Sequence, residues 1–248
     1  MGEFTLNIVA GLVVSALLFG AGVLANRLRL RLRLRHLARL IPPDGKVQVV
    51  LPSAKIENFE IKGESDLTAK QPPNVLMMPM AEAMGIAQLV LALRHLTAEK
   101  KIYLTTDKNV SPDYKLTIAV GGPSVNSESG QILKAYPHFR LVYPDHVAHH
   151  GATKYDPEIK DNGELAEDYG FVFVHRKTDR TEVVCCGVWG TGTEAAIKGL
   201  LNLPDRKVGR RMQASDNFFM IFHLRVNDVR ATDPVLQQYH CSSDYVAK

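Results

Sequence analysis

Residues 182–201 read EVVCCGVWGTGTEAAIKGLL, and residues 116–129 read LTIAVGGPSVNSES. Each begins as a short apolar run, breaks at glycines, passes small or polar residues and enters a pattern of helical type. A non-alternating apolar run of this length marks a strand covered on both faces, and a strand that turns directly into a helix is the building unit of a parallel sheet. Two such units predict an α/β domain whose sheet carries both glycine loops on one edge. In open α/β sheets, ligands sit beyond the carboxyl ends of the strands.

The flanking sequence extends this pattern. VQVVL (47–51), residues 56–61, KIYLT (101–105) and FRLVY (139–143) read as further strands, with VLMM (75–78) a short apolar run and 64–74 a loop. Residues 80–96 read as a helix with Leu89, Leu93 and Leu96 on one face. A shorter helix is expected from Ser127, with Ile132 and Leu133 on its buried side, and another over 191–203, stopped by Pro204. YGFVFVH (169–175) and TEVVCCGV (181–188) flank the polar RKTDR and predict a hairpin; FFMIFHLRV (218–226) is the last strong strand. Residues 144–168 are polar and read as irregular. Helices interleaved with strands, plus one hairpin, predict a three-layer Rossmann-like domain with a mostly parallel, mixed sheet.

The glycine loops suggest chemistry. Amides opening a helix carry partial positive charge suited to phosphate or carboxylate, and glycine lets a ligand approach the backbone. Gly190, Thr191, Gly192 and Thr193 are therefore expected to wrap an anion, with Gly121, Gly122, Ser124 and Asn126 as the opposite wall and Trp189 stacking on a base or closing the core. The alternative is that these glycines only make tight turns. Neither loop has the Gly-Lys-Ser/Thr of a Walker A motif, and neither fits G-x-G-x-x-G.

Gly190-Thr191-Gly192-Thr193 resembles the second half of the glycine-glycine-x-glycine-threonine signature of the LOG-type (SLOG) Rossmann-like superfamily. That resemblance implies nucleotide binding, and in some members cleavage of an N-glycosidic bond. The superfamily's catalytic glutamate falls three positions after the Gly-Thr pair, which here is Ala196. Glu194 is a displaced candidate.

Other clusters allow two readings. Asp145-His146-x-x-His149-His150 is the densest metal-like group, against a plain exposed loop; on a helix His146 and His150 would share a face. Glu164, Glu167 and Asp168 read as a solvated loop edge or as a source of a ribose-binding carboxylate. Cys185 and Cys186, adjacent in a strand, should face opposite sides as small buried hydrophobes. Ser124 lacks the G-x-S-x-G setting of a hydrolase nucleophile.

The N-terminus concerns location. Residues 4–25 carry no charge, and 22 residues at ~1.5 Å each span roughly 33 Å, enough for a bilayer core of about 30 Å. RLRLRLRLR follows at 27–35. Arg27, Arg29, Arg31, Arg33, Arg35 and Arg39 account for the basic balance: the chain has 30 Lys+Arg against 26 Asp+Glu, and without these six it is acidic. That pattern argues against a broad nucleic-acid face and for contact with anionic headgroups. Arginine after the apolar run predicts an outward N-terminus and a cytoplasmic C-terminal part. Three cysteines exclude a secreted disulfide scaffold. Small residues four apart (Gly11/Ser15, Ala16/Gly20) allow helix self-association and a homo-oligomer.

The expected organisation is thus a single-pass helix (1–25), a basic stem (26–43) and a ligand-binding domain (44–248). The function it implies is a membrane-anchored sensor or effector for a nucleotide or similar anionic molecule, with no certain cofactor. A nucleoside or NAD glycohydrolase and a ligand-free oligomerising scaffold are the alternatives.

Overall fold

The computed structural model describes residues 22, 25–26, 28–30, 32–53, 79–97, 101–143, 145–203, 205–227 and 230–241. The expected membrane helix lies largely outside them, as do Arg27, Arg31 and the expected elements between 56 and 78. Among the described residues no helix is long and apolar enough to cross a membrane.

The chain is an α/β domain built on one mixed sheet. Its strands are β1 (Val47–Leu51), β2 (Ile102–Thr106), β3 (Leu116–Val120), β7 (Glu158–Ile159), β8 (Leu165–Arg176), β9 (Thr181–Gly187), β10 (Asn217–Asn227), β11 (Arg230–Ala231) and β12 (Val235–Cys241). The central order is β2-β1-β3-β9-β8-β10, with β12 and β11 on β10 and β7 on β8. Pairing is parallel from β2 to β9 and antiparallel from β9 onward. The sheet is therefore divided into a parallel and an antiparallel half rather than mostly parallel. The hairpin expected around residues 176–180 makes the change of direction.

Strand alternation sends side chains to two separate cores. Val47, Val49, Ile118, Val183, Cys185, Val172, Phe218 and Met220 face one side. There they meet α1 (Arg35–Ala38), α2 (Met80–Leu96), α4 (Gly190–Leu201) and α5 (Arg206–Ala214). Val50, Ala119, Val184, Cys186, Phe171, Phe173 and Phe219 face the other side. That side is covered by α3 (Ser127–Leu133) and a small antiparallel sheet of β4 (Phe139–Val142), β5 (Val147–His150) and β6 (Thr153–Tyr155). Cys185 and Cys186 do point to opposite cores, both fully buried.

Two expectations change. Residues 144–168 are not simply irregular: they supply β5, β6, β7 and the start of β8. Their outer faces carry His, Lys and Glu, so half-covered strands read as polar loop. The helix α5 and the strand β12 carry little apolar pattern, because α5 buries only Val208, Gly209 and Met212 and β12 is an edge strand with mixed polarity. The boundary at residue 44 also moves. Residues 28–30 and 32–33 are helical, and Leu34, Leu37 and Leu40 join the core, so the end of the basic stem is part of the domain.

α4 lies so close to the sheet that glycine is required where the backbones touch. A Cβ on Gly187 would collide with the Thr193 amide and stand 2.5 Å from Gly192 Cα; one on Gly192 would meet the Tyr169 carbonyl and stand 2.9 Å from Asp168 Oδ2. Backbone cannot move aside as a side-chain tip can. Gly187→Ala should destabilise the fold by ~1–3 kcal/mol, toward the upper end. Gly163→Ala, at φ +82° in open space, should cost only about 1 kcal/mol for its backbone conformation. Chemical denaturation of the two variants checks the order.

Candidate functional site

β3 and β9 are parallel neighbours, with Val120 opposite Cys185 and the Gly121 amide donating to the Cys185 carbonyl at 2.9 Å. Both glycine loops thus leave the same edge of the sheet. They then diverge: β3 leads to α3 on one face and β9 to α4 on the other.

Part of the α4 start is already in use. Asp168, fully buried at the end of the adjacent strand β8, places Oδ2 against the Gly192 amide (2.5 Å) and the Thr191 hydroxyl (2.6 Å), and its Oδ1 accepts from the Tyr169 amide at 2.7 Å. Trp189 occupies the N-cap position without a side-chain cap bond, and its amide adds to the stabilisation of the same carboxylate. The chain's own carboxylate thus takes up the Thr191 hydroxyl and the Gly192 amide, donors that a helix start leaves open. Asp168 is accordingly not a solvated loop edge. Burial is the largest influence on it and pushes its pKa up from 3.8 to about 6, against the pull of these hydrogen bonds.

The opposite loop is equally committed. Gly121 adopts φ +89° beside Pro52 and Val125. Asn126, 1% exposed, accepts from the Glu128 and Ser129 amides and donates to the Val50 and Val120 carbonyls. Its amide group caps α3 and ties β1 to β3, which leaves it nothing to offer a phosphate. The first amide of α3, on Ser127, donates to Asp107 at 2.9 Å.

The two loops meet instead through residues 143–146. The Tyr143 hydroxyl lies against Gly122, 2.7 Å from where a Cβ would stand, and it hydrogen-bonds the Ser124 side chain. The Tyr143 ring meets His146 edge-on at 5.9 Å, and His146 stacks on Trp189 with centroids 4.0 Å apart and planes 16° apart. His146 holds φ +49°, a left-handed conformation uncommon outside glycine. Among the described residues, its Nδ1 and the Trp189 Nε1 are buried without a hydrogen-bond partner. Glu82 of α2 completes the group. It is 6% exposed, it is hydrogen-bonded by the Thr193 side chain, and its Cγ packs beside Gly190. Burial pushes the Glu82 carboxyl upward. One sign of it is local: Glu82 is the only acidic residue in the largely apolar run of α2.

The remaining candidates disperse. Glu194 does not face the loops: it pairs with Lys198 at 2.8 Å and packs against Gly85 of α2. His150 packs on Phe219 and His240, and burial, with His240 and His138 beside it, lowers its pKa to about 4. His146 stacks on Trp189, and His149 pairs with Lys154 across β5 and β6. No three His, Cys, Asp or Glu residues converge as a metal site among the described residues.

The site and fold define a mixed-sheet α/β domain with an aromatic and carboxyl cluster at its carboxyl edge. No protein-family model and no curated protein sequence matches the chain.

Because folding raises the Asp168 pKa, its folded form binds the proton more tightly than the unfolded form. The stability this proton provides is full below about pH 4 and is lost as pH rises through about 6. The steepest slope should approach ~1.4 kcal/mol per pH unit. Denaturation curves between pH 4 and 8 should show that component, and Asp168→Asn should remove it.

Proposed function

We propose that this chain is a membrane-anchored sensor or effector whose cytoplasmic domain recognises a nucleotide-like molecule by its planar base. The observation that carries the proposal is the His146–Trp189 stack, with two buried ring nitrogens that lack partners and a histidine backbone held in a left-handed turn. A base entering between the rings would stack on both Trp189 and His146, and a polar group attached to it that reached the indole edge would give Nε1–H a partner. It would also relieve an unusual backbone angle.

Charge supports a base rather than a phosphate at this edge. Asp168 holds the Gly192 amide, Asn126 holds those of Glu128 and Ser129, and the acidic groups beside Tyr143 are Glu82 and Asp168. Glu82, whose carboxyl burial pushes upward, can face the polar edge of a base. The resemblance of Gly190–Thr193 to a nucleotide-binding superfamily agrees with this reading. The glycohydrolase reading loses support because Glu194 is paired away from the loops. The uncharged run at residues 4–25 and the arginines after it support a single crossing with the domain on the cytoplasmic side.

Trp189 is the sole tryptophan of the chain, so intrinsic emission reports on this site alone. With the full-length chain in neutral nanodiscs, one or more nucleosides or nucleotides should change that emission saturably and raise the melting temperature. His146→Ala should alter the emission of the free protein and weaken the response about tenfold, the scale of ~1.4 kcal/mol. A full set of nucleobases, nucleosides and nucleotides that leaves both emission and melting temperature unmoved would remove the proposal.

A further inference from the structure

The stem arginines do more than follow an apolar segment. Arg33, Arg35 and Arg39 meet Arg206 and Arg210 of α5 around a cavity of about 280 Å³. The two segments are far apart in sequence, yet they are held together by packing rather than by charge. Leu34, Leu37 and Leu40 are buried in the same core as Val208 and Met212. Arg39 Nη1 donates to Gln213 Oε1 at 2.7 Å across the two helices, and the His36 ring donates to the Leu200 carbonyl. Gly209 of α5 faces His36 on the floor. Burial lowers the His36 pKa.

Like charges so gathered repel unless an anion joins them. Among the described residues none of the five guanidiniums has an ion-pair partner. The one carboxylate in the lining, Asp205, spends Oδ1 on the Lys207 amide as the cap of α5. Guanidinium forks match the paired oxygens of a phosphate group, and several forks on rigid helices would meet it without reordering the backbone. The volume sits at the small end of ligand sites, about 300 Å³, which suits a headgroup-sized anion.

We infer that the α1–α5 cavity is a binding site for a phosphate-ester anion, separate from the aromatic cluster at the carboxyl edge of the sheet. Two sources share that chemistry. One is an acidic phospholipid headgroup, which rests on the membrane reading proposed above: Arg33 follows residue 25 by only eight residues, so a crossing at residues 4–25 would set the cavity near the membrane surface. The other is a soluble phosphate or polyphosphate.

The test uses the full-length chain in neutral phosphatidylcholine nanodiscs. One arm adds phosphatidylglycerol to the discs, and the other adds inorganic pyrophosphate to the buffer. The melting temperature and a direct binding isotherm are read in each. Saturable binding is expected in at least one arm, and the arm that responds identifies the source. Arg206→Gln/Arg210→Gln should weaken it at least tenfold, while Lys207→Gln/Lys134→Gln, which removes equal charge from exposed positions outside the cavity, should stay within twofold. Arg206→Lys/Arg210→Lys should fall between, because charge remains and the fork is lost. All three variants keep the buried leucines, and unchanged melting without anion confirms that they fold. Equal losses in the cavity and control variants, or no saturable binding in either arm, would overturn the assignment. Neither result bears on the Trp189 emission test, so the two proposals fail independently.

Discussion

A buried carboxylate organises the carboxyl edge of this sheet. Asp168 stands at the junction of β8 and the start of α4, where it receives the Thr191 hydroxyl and the Gly192 amide. Burying a charge without partners would be costly, and burying helix-opening amides without acceptors would be costly too. Each solves the other's problem. The arrangement works only because Gly187 and Gly192 let α4 descend until backbone touches backbone. That descent also brings Ala196, Ile197 and Leu200 onto the core shared with α2.

The same economy of polar groups runs along the edge. Asn126 closes the start of α3 and stitches β1 to β3, and Asp107 takes the Ser53 hydroxyl and the Ser127 amide. What stays unsatisfied is therefore informative. The unpartnered ring nitrogens of His146 and Trp189 lie between the two loops, in a stack supplied by the turn after β4. Carboxyl groups flank the aromatic cluster, while guanidiniums without an ion-pair partner among the described residues surround the α1–α5 cavity. A nucleotide-like ligand and a phosphate-bearing surface would thus meet the domain at different places.

Much of the architecture was legible in the chain. Helix α2 and strands β1 and β3 occupy the residues their apolar patterns predict, and the 169–188 hairpin forms. Those segments are covered on both faces or carry a long helical stripe, so their hydrophobicity reports their fate. The stretches that escaped notice are half-covered or marginal. β5 and β6 bury Ala148 and Tyr155 but display histidine and lysine. α5 carries four basic residues in nine and has only Val208 and Met212 as large apolar anchors.

The candidate site divides along the same line. The sequence alone determined that two glycine loops follow strands and open helices, because glycine placement and apolar runs are local properties. It also determined that the chain's positive charge is concentrated after residue 26. Only the tertiary structure decided which anion fills the α4 terminus, since Asp168 and Gly192 are joined by strand pairing and not by spacing. The fold likewise brought His146 onto Trp189, Glu82 beside Gly190, and the stem arginines opposite those of α5. Long-range register, which depends on how two cores pack at once, makes all of these neighbours.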